Sequence, residues 1–203
     1  QVERDLVDEV VLRVLLGPPG EGGLHPEVQL VAEGDLDDGR LDLYLRRLET
    51  TEEARLKFEQ AIAIDPDYAE AYAGLAESLI LLAINHAAMP FAEAAELAEK
   101  NLERALTINP ELSDAYATLG LLKNNVWLQT RIGPENVAAE AAFEQAIGLN
   151  PNSAQAYMWF AALRTSEQRF EDAIGLYHRS MQLDPLGRVP YSNLPTLYAQ
   201  LGQ

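Results

Sequence analysis

The chain has 203 residues, 48% of them apolar, ample for a core in one or two domains. Its 32 acidic side chains against 15 basic ones give a formal charge of −17, which repels phosphate backbones and argues against nucleic-acid binding through this chain. Cysteine is absent, so no disulfide framework or cysteine zinc site exists, and no apolar run reaches the roughly 18 residues that a membrane span needs.

The first predicted element is VERDLVDEVVLRVLL, residues 2–16, an amphipathic helix with Leu6, Val10 and Val14 on one face. It suits a cap or the end of a preceding domain. The chain opens on Gln1 without a signal peptide and reads as a piece of a longer protein. Residues 17–38 hold GPPGEGG, Pro26 and EGDLDD, a turn-rich linker. Asp35, Asp37, Asp38 and Gly39 faintly suggest a calcium loop. Glycine falls one position early, however, and Arg46 stands where the closing glutamate belongs, so a solvated acidic linker is expected. The Gly17–Gly23 stretch lacks the Gly-Lys-Ser/Thr ending of a phosphate cradle.

From residue 39 the pattern changes to helix pairs. IAIDP, LTINP, IGLNP and MQLDP close apolar stretches at Pro66, Pro110, Pro151 and Pro185, at intervals of 44, 41 and 34 residues. Tyrosine follows each proline six residues later, at Tyr72, Tyr116, Tyr157 and Tyr191. Proline lacks an amide donor and disfavours helix in the residue before it, while Asp and Asn tolerate helix-ending geometry. Each pair therefore stops one helix and resets the chain. Helix pairs are expected at 69–84/90–108, 113–126/135–149 and 154–167/170–183. Ala76, Gly120 and Ala161 are expected at tight crossings, where small residues let helices approach.

These residues resemble the tetratricopeptide repeat (TPR) family. One copy reads Tyr72, Leu75, Ala76, Leu79, Ala98, Leu102, Ala105, Pro110; the next Tyr116, Leu119, Gly120, Lys123, Ala139, Phe143, Ala146, Pro151; the third Tyr157, Phe160, Ala161, Arg164, Ala173, Tyr177, Ser180, Pro185. Ala54, Phe58, Ala61 and Pro66 supply the second helix of a degenerate repeat at 39–68, and Tyr191, Leu194, Pro195 and Tyr198 begin a partial one at 188–203. Full repeats occupy 69–112, 113–153 and 154–187. Lys123 and Arg164 stand where apolar residues are usual, and Ser180 replaces alanine. A closer resemblance joins the Val-rich first helix, LDLYLRR and FEQAIAIDPDYAEAYAGLAESL to the segment following a TolB-like domain in bacterial regulators with a winged-helix or adenylate cyclase domain.

The resemblance implies an all-α, right-handed superhelical solenoid of antiparallel helix pairs, acting as a non-catalytic interaction module of a bacterial regulator at the cytoplasmic or periplasmic face. It places the partner groove at the second, fifth, ninth and twelfth positions of each repeat. Those are Glu70, Ala73, Glu77 and Ile80; Asp114, Ala117, Leu121 and Asn124; and Gln155, Met158, Ala162 and Thr165. The Lys, Asn and Arg set that clamps a carboxylate in chaperone-binding relatives is missing. A small, apolar groove with one acidic edge suits an apolar or basic segment of a protein or peptide. The negative charge serves solubility or steers such a basic partner.

No catalytic, metal or cofactor set emerges. His25, His86 and His178 have no metal-ligand spacing, and Glu52–Glu53 and Glu93–Glu96 sit on amphipathic helices where exposure is the default. Trp159 beside Phe160 is expected in the core. Trp127, in the inserted NNVWLQTRIGPEN, is the candidate aromatic of a competing reading, a small-ligand or lipid sensor with an apolar pocket nearby. At the C-terminal end, Leu194, Leu197, Tyr198 and Leu201 are expected to lack an intrachain cover. The protein would then continue past Gln203, or this helix would self-associate.

Overall fold

The computed structural model describes residues 38–131 and 133–202, with side-chain burial from Leu48 onward. The predicted helix at 2–16, most of the 17–38 linker, and His25 lie outside the described residues. Among the described residues every element is a helix: α1 (Asp38–Ile64), α2 (Ala69–His86), α3 (Phe91–Ile108), α4 (Ser113–Thr130), α5 (Glu135–Leu149), α6 (Ala154–Ser166), α7 (Phe170–Leu183) and α8 (Arg188–Gln200). The expected all-α repeat of helix pairs is thus the observed fold. The first segment, expected to hold the second helix of a degenerate pair, is one 27-residue helix, because no Asx-Pro stop precedes Asp65–Pro66. The long intervals come from α2 and α4, which run on to His86 and Thr130. Trp127 consequently sits inside α4 and not in an inserted loop.

The helix stops are alike in detail. The amides of Asp65, Asn109, Asn150 and Asp184 each donate to the carbonyl four residues back, at 2.8 Å, as the last helical bond. The side-chain oxygens of Asn109, Asn150 and Asp184 then accept from the amide two residues on, each at 3.1 Å. That is an Asx turn around the proline, which has no amide to satisfy. Six residues after the proline, the Tyr116 hydroxyl donates to the Pro110 carbonyl at 3.2 Å, and Tyr191 repeats this on Pro185 at 3.1 Å. At these two turns the Pro-to-Tyr spacing records a hydrogen bond that pins the turn to the helix it starts.

The described residues fall into two compact units, residues 38–66 with 74–98, and residues 67–73 with 99–131 and 133–202. Within the first, the Phe58 ring of α1 lies where a side chain on Gly74 of α2 would stand. Within the second, α4 packs on α5, α5 on α6, α6 on α7, and α8 on α7 and α6. Gly120 lies under Phe143, whose ring an added Cβ would meet at 2.6 Å, and Phe143 stacks on Phe160 with centroids 5.5 Å apart. Ala76 and Ala161 are fully buried, and Trp159 is buried as expected. Ser180, in place of alanine, donates its hydroxyl to the Ala154 carbonyl at 2.9 Å, and Ser113 does so to Ala146 at 3.0 Å. Each hydroxyl fastens the end of one helix to the start of another.

The expectation for the C-terminal helix is corrected at two residues. Leu194 and Leu197 are buried in a cluster with Ala161, Ala173 and Tyr177, so α7 covers them. Tyr198 is half-buried and exchanges a hydrogen bond with His178 at 2.9 Å.

Two glycines with opposite surroundings give a test. Gly120→Ala should destabilise the fold by about 1–3 kcal/mol, because the stacked Phe143 ring has no room to yield. Gly148→Ala should stabilise it by about 1 kcal/mol, since Gly148 is exposed within α5 with no neighbouring atom in reach. Thermal unfolding of the two variants should shift in opposite directions.

Candidate functional site

In the second unit the first helices of successive pairs touch one another, α4 to α6 and α6 to α8, forming a continuous layer. The groove positions implied by the TPR resemblance lie on these helices and on α2. Asp114 and Gln155 are exposed, and Met158, Ala162 and Thr165 are half-buried. Ala117, Leu121 and Asn124 are buried, at 2%, 6% and 4% exposure, and offer little surface to a partner. On α2, Glu70 is exposed and Ala73 buried, while Glu77 is half-buried and Ile80 fully enclosed.

One 34-residue period after Gln155, Met158, Ala162 and Thr165 stand Val189, Ser192, Thr196 and Ala199 of α8, all exposed. They extend the same row and were open to the sequence reading through its own period. Of the groove positions on α4, α6 and α8, Asp114 alone carries a charge. The Thr165 hydroxyl is spent on the Ala161 carbonyl at 2.8 Å. Asn124 is different: its Oδ1 is buried and has no hydrogen-bond partner. A buried acceptor left unmet costs free energy, about 1–3 kcal/mol.

The two cations at ordinarily apolar positions are held by ion pairs. Lys123 reaches Glu99 at 2.6 Å. Arg164, its side chain 5% exposed, pairs with Glu140 of α5 and with Glu167 at 2.8 Å, and its guanidinium lies 4.5 Å from the Phe160 ring centroid. Asn136 of α5 donates to the other Glu167 oxygen at 3.1 Å. This network ties α5 to α6 behind the groove layer, and its hydrogen bond from Arg164 holds the Glu140 carboxyl below its ordinary value against desolvation. The sequence showed Arg164 only as an oddity, because its partners lie 24 residues before it and 3 after.

Trp127 is half-buried, and the Arg131 guanidinium stands 4.5 Å from its ring centroid. Arg131 closes α4 in the left-handed conformation (φ 52°), its amide donating to the Trp127 carbonyl at 2.7 Å. The ring thus packs against its own helix end. Among the described residues no group of three His, Cys, Asp or Glu is placed to hold a metal ion, and no helix is long and apolar enough to cross a membrane.

No protein-family model matches the sequence, and no curated protein does. Solved structures share the fold. TTC0263, a thermophilic TPR protein in Thermus thermophilus, aligns with a TM-score of 0.58 at 17% identity, covering 98% of this chain and 95% of that one. MamA aligns with a TM-score of 0.51 at 18% identity, covering 89% and 86%. At such identities the likeness establishes the TPR fold.

The Arg164 network predicts an acid-sensitive term. A carboxylate whose folded value is depressed contributes stability above its unfolded value, about 4.3, and loses it as pH falls through the lower folded value. Wild type should therefore lose its advantage over Glu140→Gln on acidification from about pH 6 to about pH 3. Denaturant unfolding of both proteins across that range checks it, and a pH-independent difference would mean the pair contributes nothing.

Proposed function

We propose that the chain is a non-catalytic protein-interaction module that binds an extended segment of a partner along the α4–α6–α8 layer, as the partner-binding part of a bacterial regulator. The observation that carries this reading is the row itself. Met158, Ala162, Thr165, Ser192 and Thr196 are partly or fully exposed on helices in contact. A long, shallow, uncharged strip with few hydrogen-bonding groups fits a peptide of small and apolar side chains whose backbone supplies donors. Asp114 and Glu70 at the helix starts leave room for a basic residue at its edge. The regulator role rests on the resemblance of the first segments to those following TolB-like domains.

Phage-displayed peptides selected on the purified chain provide the test. Met158→Glu and Ala162→Arg should reduce capture of selected peptides at least tenfold with helical circular dichroism unchanged, because both positions are only half-buried. Ala117 is unsuited to this purpose, since a charge there enters the core. Peptides that bind both variants as well as wild type would place the binding surface elsewhere.

A further inference from the structure

Two helices of the layer, α4 and α6, offer a partner different things. On α4 the groove positions Ala117, Leu121 and Asn124 are enclosed, which leaves the exposed Asp114 at its start as the groove residue a bound segment can touch. On α6 the reverse holds. Met158, Ala162 and Thr165 are only half-buried and carry no charge, and Gln155, the equivalent of Asp114, is neutral. The Asp114 carboxylate has no hydrogen-bond or ion-pair partner among the described residues, whereas Glu99 is neutralised by Lys123 and Asp172 by Arg169. An acid in the first turn also favours the positive end of its own helix. That role acts on stability alone, which a melting temperature reads.

Spacing joins the two features. Packed helices stand about 8–10 Å apart, axis to axis, and α4 touches α6. Met158 lies one helical turn further along α6 than Asp114 does along α4, which lengthens the step only to about 10 Å. A polyproline II segment turns once every three residues and advances about 9 Å in doing so, so residues three apart project to the same side. A β-strand fits this step less well, because its same-side residues recur at about 7 Å and then about 13 Å.

We propose that the segment bound in the groove is a polyproline II stretch with Lys or Arg three residues from a small apolar side chain, the cation on Asp114 and the apolar side chain against Met158. The assignment rests on the proposed groove function and adds the conformation and register of what the groove binds. Such a segment is already extended before it binds and so loses little conformational entropy, and its backbone amides remain free to donate.

Selection of a random 12-residue phage library on the full chain, wild type and Asp114→Lys in parallel, tests the proposal. Peptides from the wild-type selection should carry Lys or Arg three residues from Ala, Val or Pro, and those from Asp114→Lys should carry Asp or Glu at the same spacing. Synthetic copies of the wild-type peptides should bind Asp114→Lys at least tenfold more weakly. They should lose at least fivefold when the cation is moved to a spacing of two or four. Glu144→Lys, an equal change of charge at an exposed position of α5, should bind them like wild type. Peptides that lose binding to Met158→Glu yet show no cation at this spacing would overturn the assignment and leave the groove standing. An Asp114→Lys variant that melts at a lower temperature but selects the same peptides would likewise overturn it, giving Asp114 to helix stability alone. Peptides indifferent to Met158→Glu would remove the groove function and this assignment with it.

Discussion

The structure depends on how each second helix is stopped. A chain of consecutive amphipathic helices has many ways to stack, and a fixed turn reduces them to one. Around Pro110 and Pro185 the Asx oxygen, the proline ring and the tyrosine hydroxyl six residues on determine that turn together. The oxygen takes the next free amide, the proline removes the amide that would have continued the helix, and the hydroxyl ties the following helix to the turn. With direction set this way, the small residues five positions before each proline come to lie against neighbouring helices, and Ala105, Ala146 and Ser180 are all buried.

Packing between neighbouring helices then rests on one recurrent contact, a large side chain over a small one. Phe143 over Gly120 and Phe58 over Gly74 are its tightest forms, and the Phe143–Phe160 stack carries it from one pair to the next. Such contacts are short in range and complementary in volume, so each pair is informed mainly by its neighbours.

The fold was legible because its determinants are local: Pro, Asx, Tyr and small residues recur at set spacings, and helix ends fell within four residues of expectation. Length changes inside repeats were less legible. Nothing in NNVWLQ stops a helix, so α4 continues through it, and only Arg131 in the left-handed conformation ends it. The groove positions remain those that the family pattern implies. Family offsets identify the helix face, but burial depends on how closely neighbouring helices crowd it, and this separates enclosed Ala117, Leu121 and Asn124 from available Met158 and Ala162. The Arg164 network was invisible because no local pattern pairs a residue with Glu140 on another helix.

The distribution of charge bears on how such a module discriminates. Acidic residues stand exposed on the second helices, at Glu93, Glu96, Glu99 and Glu103 of α3, Glu144 of α5, and Glu171 and Asp172 of α7. The layer of first helices in the second unit is nearly neutral, and α8 is free of acid altogether. Under the proposed function, charge on the second helices raises the local concentration of a basic protein without choosing its bound register, because the proposed contacts lie on the uncharged layer. On the proposed reading, selectivity there rests on side-chain size against Met158 and Ala162. A partner carrying only charge would meet the acidic helices and find no such complement, whereas one with small apolar residues at the right spacing would bind with little dependence on salt.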